Sequence, residues 1–296
     1  VSADEKVTIN SSEKITNTMG LVRAGRSVVL QGASLTGDGH ITSRGDIDIN
    51  LTNDFVQSSG GAIEADQRLL FNSTARVTNR GLFDATDTFI KAQTLENLGT
   101  GRIYGNHVAI GAKAVVNAAE NGVAPVIGAR DRLDIGAETI DNREHALLFS
   151  GGSMSIGGAL DANYHAIGQA KQLNNASATI EALGDLELSA KVINNTNEHF
   201  QTKTVLIYDQ WIDEFQGEGA SQRFPDAYTQ NVRDSYYQWV IHGSAYENSF
   251  RYTYRRKITE TQVDTTDPAA IQSGGGMRIT ADTLNNDKSK IIAGGA

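Results

Sequence analysis

A triplet of aliphatic residue, any residue, then Asn recurs along the chain, and its spacing constrains the fold more than any other feature. It reads "VTN" ending at Asn79, "LEN" at Asn97, "VVN" at Asn117, "IDN" at Asn142, "LNN" at Asn175, "INN" at Asn195 and "LNN" at Asn286. Successive Asn lie 18, 20, 25, 33, 20 and 91 residues apart. The base period is about 20, with extra residues in three intervals. A whole phrase returns with it: "QLNNASATIEA" (Gln172–Ala182) comes back as "TLNNDKSKIIA" (Thr283–Ala293).

Before each triplet lies a short alternating segment, as in "RLDIGA" (Arg132–Ala137), "SMSIGG" (Ser153–Gly158) and "DLELSA" (Asp185–Ala190). After it comes a second, as in "RIYG" (Arg102–Gly105), "TIEA" (Thr179–Ala182) and "KIIA" (Lys290–Ala293). Apolar residues at every second position give one inward and one outward face, and Gly, Asn and Asp between them supply turns. A unit this short cannot bury its own apolar face, whereas stacked units can, each adding a rise of roughly 4.8 Å. The expectation is an all-β parallel β-helix with coils of about 20 residues. The recurrent Asn then has two readings: an amide ladder from coil to coil, or a separate left-handed turn cap in each coil. Two of the longer intervals, "NAAENGVAP" (Asn117–Pro125) and "GALDANYHAIGQA" (Gly158–Ala170), read as loops projecting from turns.

Between Asn195 and Asn286 the rhythm fails. Residues 201–256 hold twelve of the chain's twenty aromatic residues, including both Trp. Three segments there read as strands or strand starts: "TKTVLIYDQWIDEF" (Thr202–Phe215), "DSYYQWVIHG" (Asp234–Gly243) and "SFRYTYRRKITETQV" (Ser249–Val263). In the last, Phe250, Tyr252 and Tyr254 face one way and Arg251, Thr253 and Arg255 the other. "FPDAYTQN" reads as a turn or short helical piece. The expected organisation is a β-helix over 1–200, an aromatic-rich β appendage over 201–272 with its own small aromatic core, and resumed β-helix over 273–296. Tyr, Trp and Arg are the residue types that dominate binding hot spots, so the candidate recognition residues are Tyr208, Trp211, Phe215, Phe224, Tyr228, Tyr236, Tyr237, Trp239, Tyr246, Arg251, Tyr252, Arg255 and Arg256. The competing reading assigns the same rings to the appendage's core. The basic cluster Arg251, Arg255, Arg256 and Lys257 has two possible partners: the appendage's own acids at Asp209, Asp213, Glu214 and Glu218, or an acidic partner molecule.

Composition removes other classes. The net charge of −9 argues against a duplex nucleic-acid binder. Without cysteine there is no disulfide framework or thiolate metal site. The histidines His40, His107, His145, His165, His199 and His242 show no metal-ligand spacing, and no cofactor fingerprint is present. Arg44-Gly45-Asp46 spells an integrin motif, but Gly-Asp sits where each repeat turns into its strand, as at Gly184-Asp185. Acid pairs such as Asp131 with Asp134 and Asp84 with Asp87 raise glycoside hydrolysis, yet chance accounts for them among 35 acidic residues. No apolar run approaches a membrane span of about 18 residues. The chain begins without a signal-peptide pattern and starts and ends inside repeat-like text, which reads as a segment of something longer.

The phrases "LTNDFVQSSGGAIEA", "LENLGTGRIYG", "GARDRLDIGAETIDNREHALLFSGGSMSIGGALD", "LNNASATIEALGDLELSA" and "INNTNEHF" resemble filamentous haemagglutinin repeats. They look closest to the stalk of CdiA-type contact-dependent growth inhibition effectors of two-partner secretion systems. The resemblance covers about 28–200 and 274–295. It implies a right-handed β-helix, secreted through an outer-membrane transporter partner to the surface of a Gram-negative bacterium. It also implies that a stretch interrupting the repeats recognises an outer-membrane protein or lipopolysaccharide of a target cell, with a toxin carried elsewhere in the longer protein. The expected function is therefore receptor binding without catalysis or cofactor. The alternatives are a purely structural stalk and, third, a carbohydrate-active β-helix.

Overall fold

A strand with alternating burial must put its dry face against something, and here that something is the next turn of the same chain. The computed structural model describes residues 1–233 and 236–295, and the side chains of all of these except 229–233 and 236. Among them there is no helix. The chain divides into two units, Val1–Phe200 with Thr266–Ala296, and Gln201–Thr265. The first is a parallel β-solenoid.

Each coil has three sides; the register is continuous on the first two, and on the third from Phe55 onward, the earlier Lys14–Thr16 and Ser34–Thr36 pairing as a separate two-stranded sheet. The strand Arg102–Ala118 bends through all three. It puts Ile103 inward on the first side, Val108 and Ile110 on the second and Val115 on the third, each 1% exposed or less. On the second side the stacked positions are Val7, Val28, Ile47, Leu69, Thr88, Val108, Leu133, Met154, Leu186 and Met277. On the third they are Phe55, Val77, Leu95, Val115, Ile140, Leu173, Ile193 and Leu284. A buried aliphatic side chain contributes about 1.5–3 kcal/mol, so columns of this length form one extended core. Thr88 is the polar exception in its column, and its hydroxyl donates to Tyr104 O at 2.7 Å. Phe55, Phe71 and Phe83 cluster in this core, with ring centroids 4.9–6.2 Å apart.

The seven Asn of the triplet stand on top of one another at the corner that follows the third side. Nδ2 of each donates to Oδ1 of the next: Asn79 to Asn97 (2.8 Å), Asn97 to Asn117 (2.9 Å), Asn117 to Asn142 (2.9 Å), Asn142 to Asn175 (2.8 Å), Asn175 to Asn195 (2.8 Å) and Asn195 to Asn286 (2.8 Å). The second Nδ2 hydrogen goes to the main chain, as from Asn97 to Val126 O (3.2 Å) and from Asn117 to Leu147 O (3.1 Å). From Asn79 through Asn195 these side chains are fully buried. Buried amides survive only when bonded, and the stack meets that demand by repetition. One coil earlier Gln57 takes the position, pairing with Asn79 in register and donating to Gly61 O and Leu82 O instead. Outside the corner a second, shallower amide row links Asn174, Asn194 and Asn285.

Extra residues leave these columns undisturbed. The segment 158–169 departs from expectation: instead of projecting, it lies back on the solenoid's second side. Gly111, Gly136 and Gly157 stack there in register, and a Cβ on Gly136 would fall 2.2 Å from the Ala159 main chain. Tyr164 then stacks on Phe89 at 3.9 Å. The Arg44-Gly45-Asp46 turn joins the strands His40–Ser43 and Asp46–Leu51, with Asp46 3.3 Å from Arg68. The resumed solenoid also starts earlier than the sequence suggests. Ala270–Ser273 pairs in parallel with Thr179–Ala182 and with Lys290–Ala293, so the inserted unit ends at Thr265 and not at Gln272. Asn197 joins the two solenoid ends, donating to Thr266 Oγ1 (2.9 Å) and accepting from the Asp267 N–H (3.2 Å).

Asn117→Ala removes a middle rung and strands Asn142 Oδ1 and Leu147 O, so it is expected to cost about 2–4 kcal/mol. Asn174→Ala in the half-exposed outer row should cost less than about 0.5 kcal/mol. Urea titration of both variants measures the contrast; equal effects would mean that burial of the amide row adds nothing to its contribution.

Candidate recognition site

The inserted unit is built from two long strands with no Gly or Pro between their ends, Gln201–Gly217 and Ser249–Thr265. They pair antiparallel over nearly their whole length as a ribbon, with irregularities at Gln201/Thr202 and Leu206/Tyr208. Opposed residues share a face. One face carries Asp209, Trp211, Asp213 and Phe215 opposite Lys257, Arg255, Thr253 and Arg251. The other carries Tyr208, Ile212 and Glu214 opposite Ile258, Tyr254 and Tyr252. No further strand pairs with this ribbon in its sheet among the described residues.

Ribbon charges pair with one another. Arg255 holds Asp209 through Nη2 at 2.7 Å, and Arg251 holds Asp213 through Nη2 at 2.7 Å. Thr253 Oγ1 also donates to Asp213. These bonds from Arg255 and Arg251 keep the Asp209 and Asp213 carboxyls below their ordinary range. Lys257 lies 3.9 Å from Asp209, Arg256 3.7 Å from Glu214, and Lys203 2.9 Å from Asp264. Such exposed pairs add little stability; what they do is order the guanidinium groups beside the rings. Arg251 lies 5.9 Å from the Phe215 centroid, Arg256 5.6 Å from that of Tyr254, and Arg223 sits 3.7 Å over Tyr252.

At the far end of the ribbon a three-stranded sheet forms from Ala227–Arg233, Tyr236–Ile241 and Ser244–Tyr246. The stretch read as a turn or helical piece therefore contains a strand. Among the described residues, Val240 and Ile241 of this sheet are buried. Trp239 faces Phe215 at 6.3 Å, and Phe224 stacks flat on His242 at 4.2 Å. A Cβ on Gly217 would meet the Tyr246 ring at 2.3 Å, so glycine lets that ring lie on the main chain.

The candidate rings divide into an exposed set and a half-buried cluster. Trp211, Tyr228, Tyr237 and Phe250 are 53–69% exposed. Tyr208, Phe215, Phe224, Trp239, Tyr246, Tyr252 and Tyr254 are half-buried. The Tyr236 side chain lies outside the described residues. Exposed aliphatics join them that the sequence reading missed: Leu206, Ile207, Ile258 and Val263, each 45–56% exposed. The run "VLI" at 205–207 was the available signal, but alternation ordinarily implies one dry face, and this ribbon has none.

Of the acids singled out in the solenoid, Asp134 is tied into a bonded network. Asp134 is fully buried under the 158–169 segment. It accepts from Arg132 Nε (2.6 Å) and Nη2 (3.0 Å), from the Ala166 N–H (2.8 Å), and lies 3.0 Å from His107 Nε2. Burial pushes its carboxyl up, but the bonds from His107, Arg132 and Ala166 outweigh that and hold it at about 2. Asp84 is pushed up by burial, partly offset by Arg130. Among the described residues no group of His, Asp and Glu is placed to hold a metal ion. No family model, curated protein or solved structure matches the chain.

A folded-state value below the ordinary 3.8 makes Asp134 stabilising above about pH 4, a contribution lost as pH falls through about 2. The shift corresponds to about 2 kcal/mol. Hydrogen exchange at the Ala166 amide should therefore accelerate as pH falls from about 4 to about 2, beyond the change seen at a reference amide. Asp134→Asn should exchange faster at neutral pH and lose that acid-dependent step.

Proposed function

We propose that this chain is a receptor-binding segment of a bacterial surface effector of the CdiA type, and that residues 201–265 recognise an outer-membrane receptor on a neighbouring Gram-negative cell so that a toxin can be delivered. The observation that carries the reading is the exposure of Trp211, Tyr228, Tyr237 and Phe250 on a unit inserted into an otherwise regular parallel solenoid. Large rings left mostly exposed are the residue type that interaction surfaces favour, and rigid rings beside ordered arginines give contact area at small entropic cost. The resemblance of the coils to filamentous haemagglutinin repeats supplies the cellular setting: secretion through an outer-membrane transporter and display on the producing cell. The role is recognition, without catalysis.

A structural stalk is the second reading. The internal pairing of Arg251, Arg255 and Lys257 with Asp213 and Asp209 favours it, since a self-neutralised ribbon has less need of a charged partner.

Removal of residues 201–265 separates the two. Asn197 already bonds Thr266 and Asp267, so a short Gly-Ser link from Phe200 to Thr266 should leave the solenoid folded, as read by circular dichroism. Labelled protein is then tested on intact Gram-negative cells. Loss of binding with an unchanged solenoid is the expected result; undiminished binding assigns recognition to the coils and makes the insertion structural.

A further inference from the structure

In an antiparallel ribbon a residue sends its N–H and C=O to the same side, and that side alternates along the strand. One bridge fixes the parity here. The Phe215 N–H donates to Phe224 O at 2.7 Å, and the Phe224 N–H returns to Phe215 O at 2.9 Å. Phe215 is the register partner of Arg251 across the ribbon, so its main-chain groups point away from the Ser249–Thr265 strand. The Glu218 N–H donating to Asn248 O at 3.0 Å gives the opposite parity to the even positions. Asp213, Trp211 and Asp209 share the parity of Phe215, and no irregularity intervenes before Tyr208. Their N–H and C=O groups therefore leave the same open edge. Among the described residues no turn or loop main-chain group bonds them.

Open edges are usually guarded by Lys, Pro, bulges or stray charge. Between the Phe215 bridge and the irregularity at Leu206/Tyr208 this edge has no Lys and no Pro. Its three acids, Asp209, Asp213 and Glu214, lie against Arg255, Arg251 and Arg256, and Trp211 stands beside it 69% exposed. The other edge of the ribbon is different, with Arg251, Arg255 and Lys257 at its outward positions. The unguarded edge already accepts an antiparallel segment at its first rung, Phe224. Its remaining donors and acceptors recur every second residue, about 6.8 Å, which is the period of another strand and not of a lipid headgroup.

We propose that the Asp209–Asp213 edge takes up an extended polypeptide segment of the target-cell partner as a third strand, with Trp211 covering that segment's side chains. The inference rests on the recognition reading of residues 201–265 and names its mode as strand addition.

Proline at an outward-pointing position removes one edge donor and leaves the ribbon's internal bonds. Trp211→Ala, Trp211→Pro and Thr253→Pro are compared for binding to the same intact Gram-negative cells. Thr253 has the same parity but faces the opposite edge. Trp211→Ala should weaken binding through lost ring contact, Trp211→Pro should weaken it at least tenfold further, and Thr253→Pro should bind as wild type. Equal binding by the two Trp211 variants overturns strand addition, and so does equal loss from both prolines, which would point to ribbon integrity alone. Hydrogen exchange on the wild-type chain gives a readout free of folding artefacts. The Trp211 and Asp213 amides should slow when outer-membrane vesicles of those cells are bound; unchanged exchange in the bound state overturns the inference. If vesicles freed of surface protein by protease still bind the chain with full affinity, the partner is lipopolysaccharide and the inference fails while the recognition reading stands. A wild-type chain that binds neither cells nor vesicles removes both.

Discussion

The solenoid depends on one demand of the main chain: a strand buried inside a wall must find hydrogen-bond partners on both sides. Stacking successive coils in parallel meets it, and the meeting is what fixes everything else. Register follows, because a one-residue slip would turn every inward Ile and Leu outward. The corner amides follow as well. Once coils are held at strand spacing, a side chain of fixed length at a fixed corner can bond to its copy above. Asn79 through Asn286 do so six times within 0.1 Å of one another. Main-chain ladders and amide row therefore reinforce a single register.

The inserted unit is governed by a different balance. Among the described residues no further strand joins its ribbon, so pairing between two strands and contacts between opposed side chains carry much of the order. Cross-strand ion pairs and Arg-aromatic contacts are the available means. They order the surface without burying it. Among the described residues its buried side chains, Val240 and Ile241, lie in the terminal sheet, while the described rings remain partly or largely open to solvent. That arrangement is poor as a core and well suited to forming contacts.

Much of the scaffold was legible because stacking forces repetition into the sequence. The Asn triplet could be read at sight, since the amide row needs the same side chain in each coil. Where chemistry allows a substitute, the signal disappears: Gln57 occupies the same corner but bonds to main chain, and nothing in "FVQ" announces it. Asn197 was hidden for the opposite reason, as one more Asn in an Asn-rich stretch whose partners, Thr266 and Asp267, lie 69 and 70 residues away. The end of the insertion leaves no signal in the sequence, because Ala270–Ser273 is four residues long and carries no Asn. The 158–169 segment looked like an outward loop because its landing place is made by three glycines, Gly111, Gly136 and Gly157, that are neighbours only in the register. In the ribbon the faces were read correctly from alternation, but their exposure was not, because alternation reports which residues share a side and is silent on whether that side is covered.

The step from Asn195 to Asn286 spans 91 residues yet is as short as those that span 20. The solenoid registers only the two chain ends that Asn197 brings together. What lies between them enters the energetics through a closure entropy that grows slowly with length, about 0.6 kcal/mol for each doubling. The corner after Asn195 therefore behaves as a socket. Chain of another size or sequence can take the place of residues 201–265 while every rung of the scaffold stays in place, so this segment can change without renegotiating the stability of the coils.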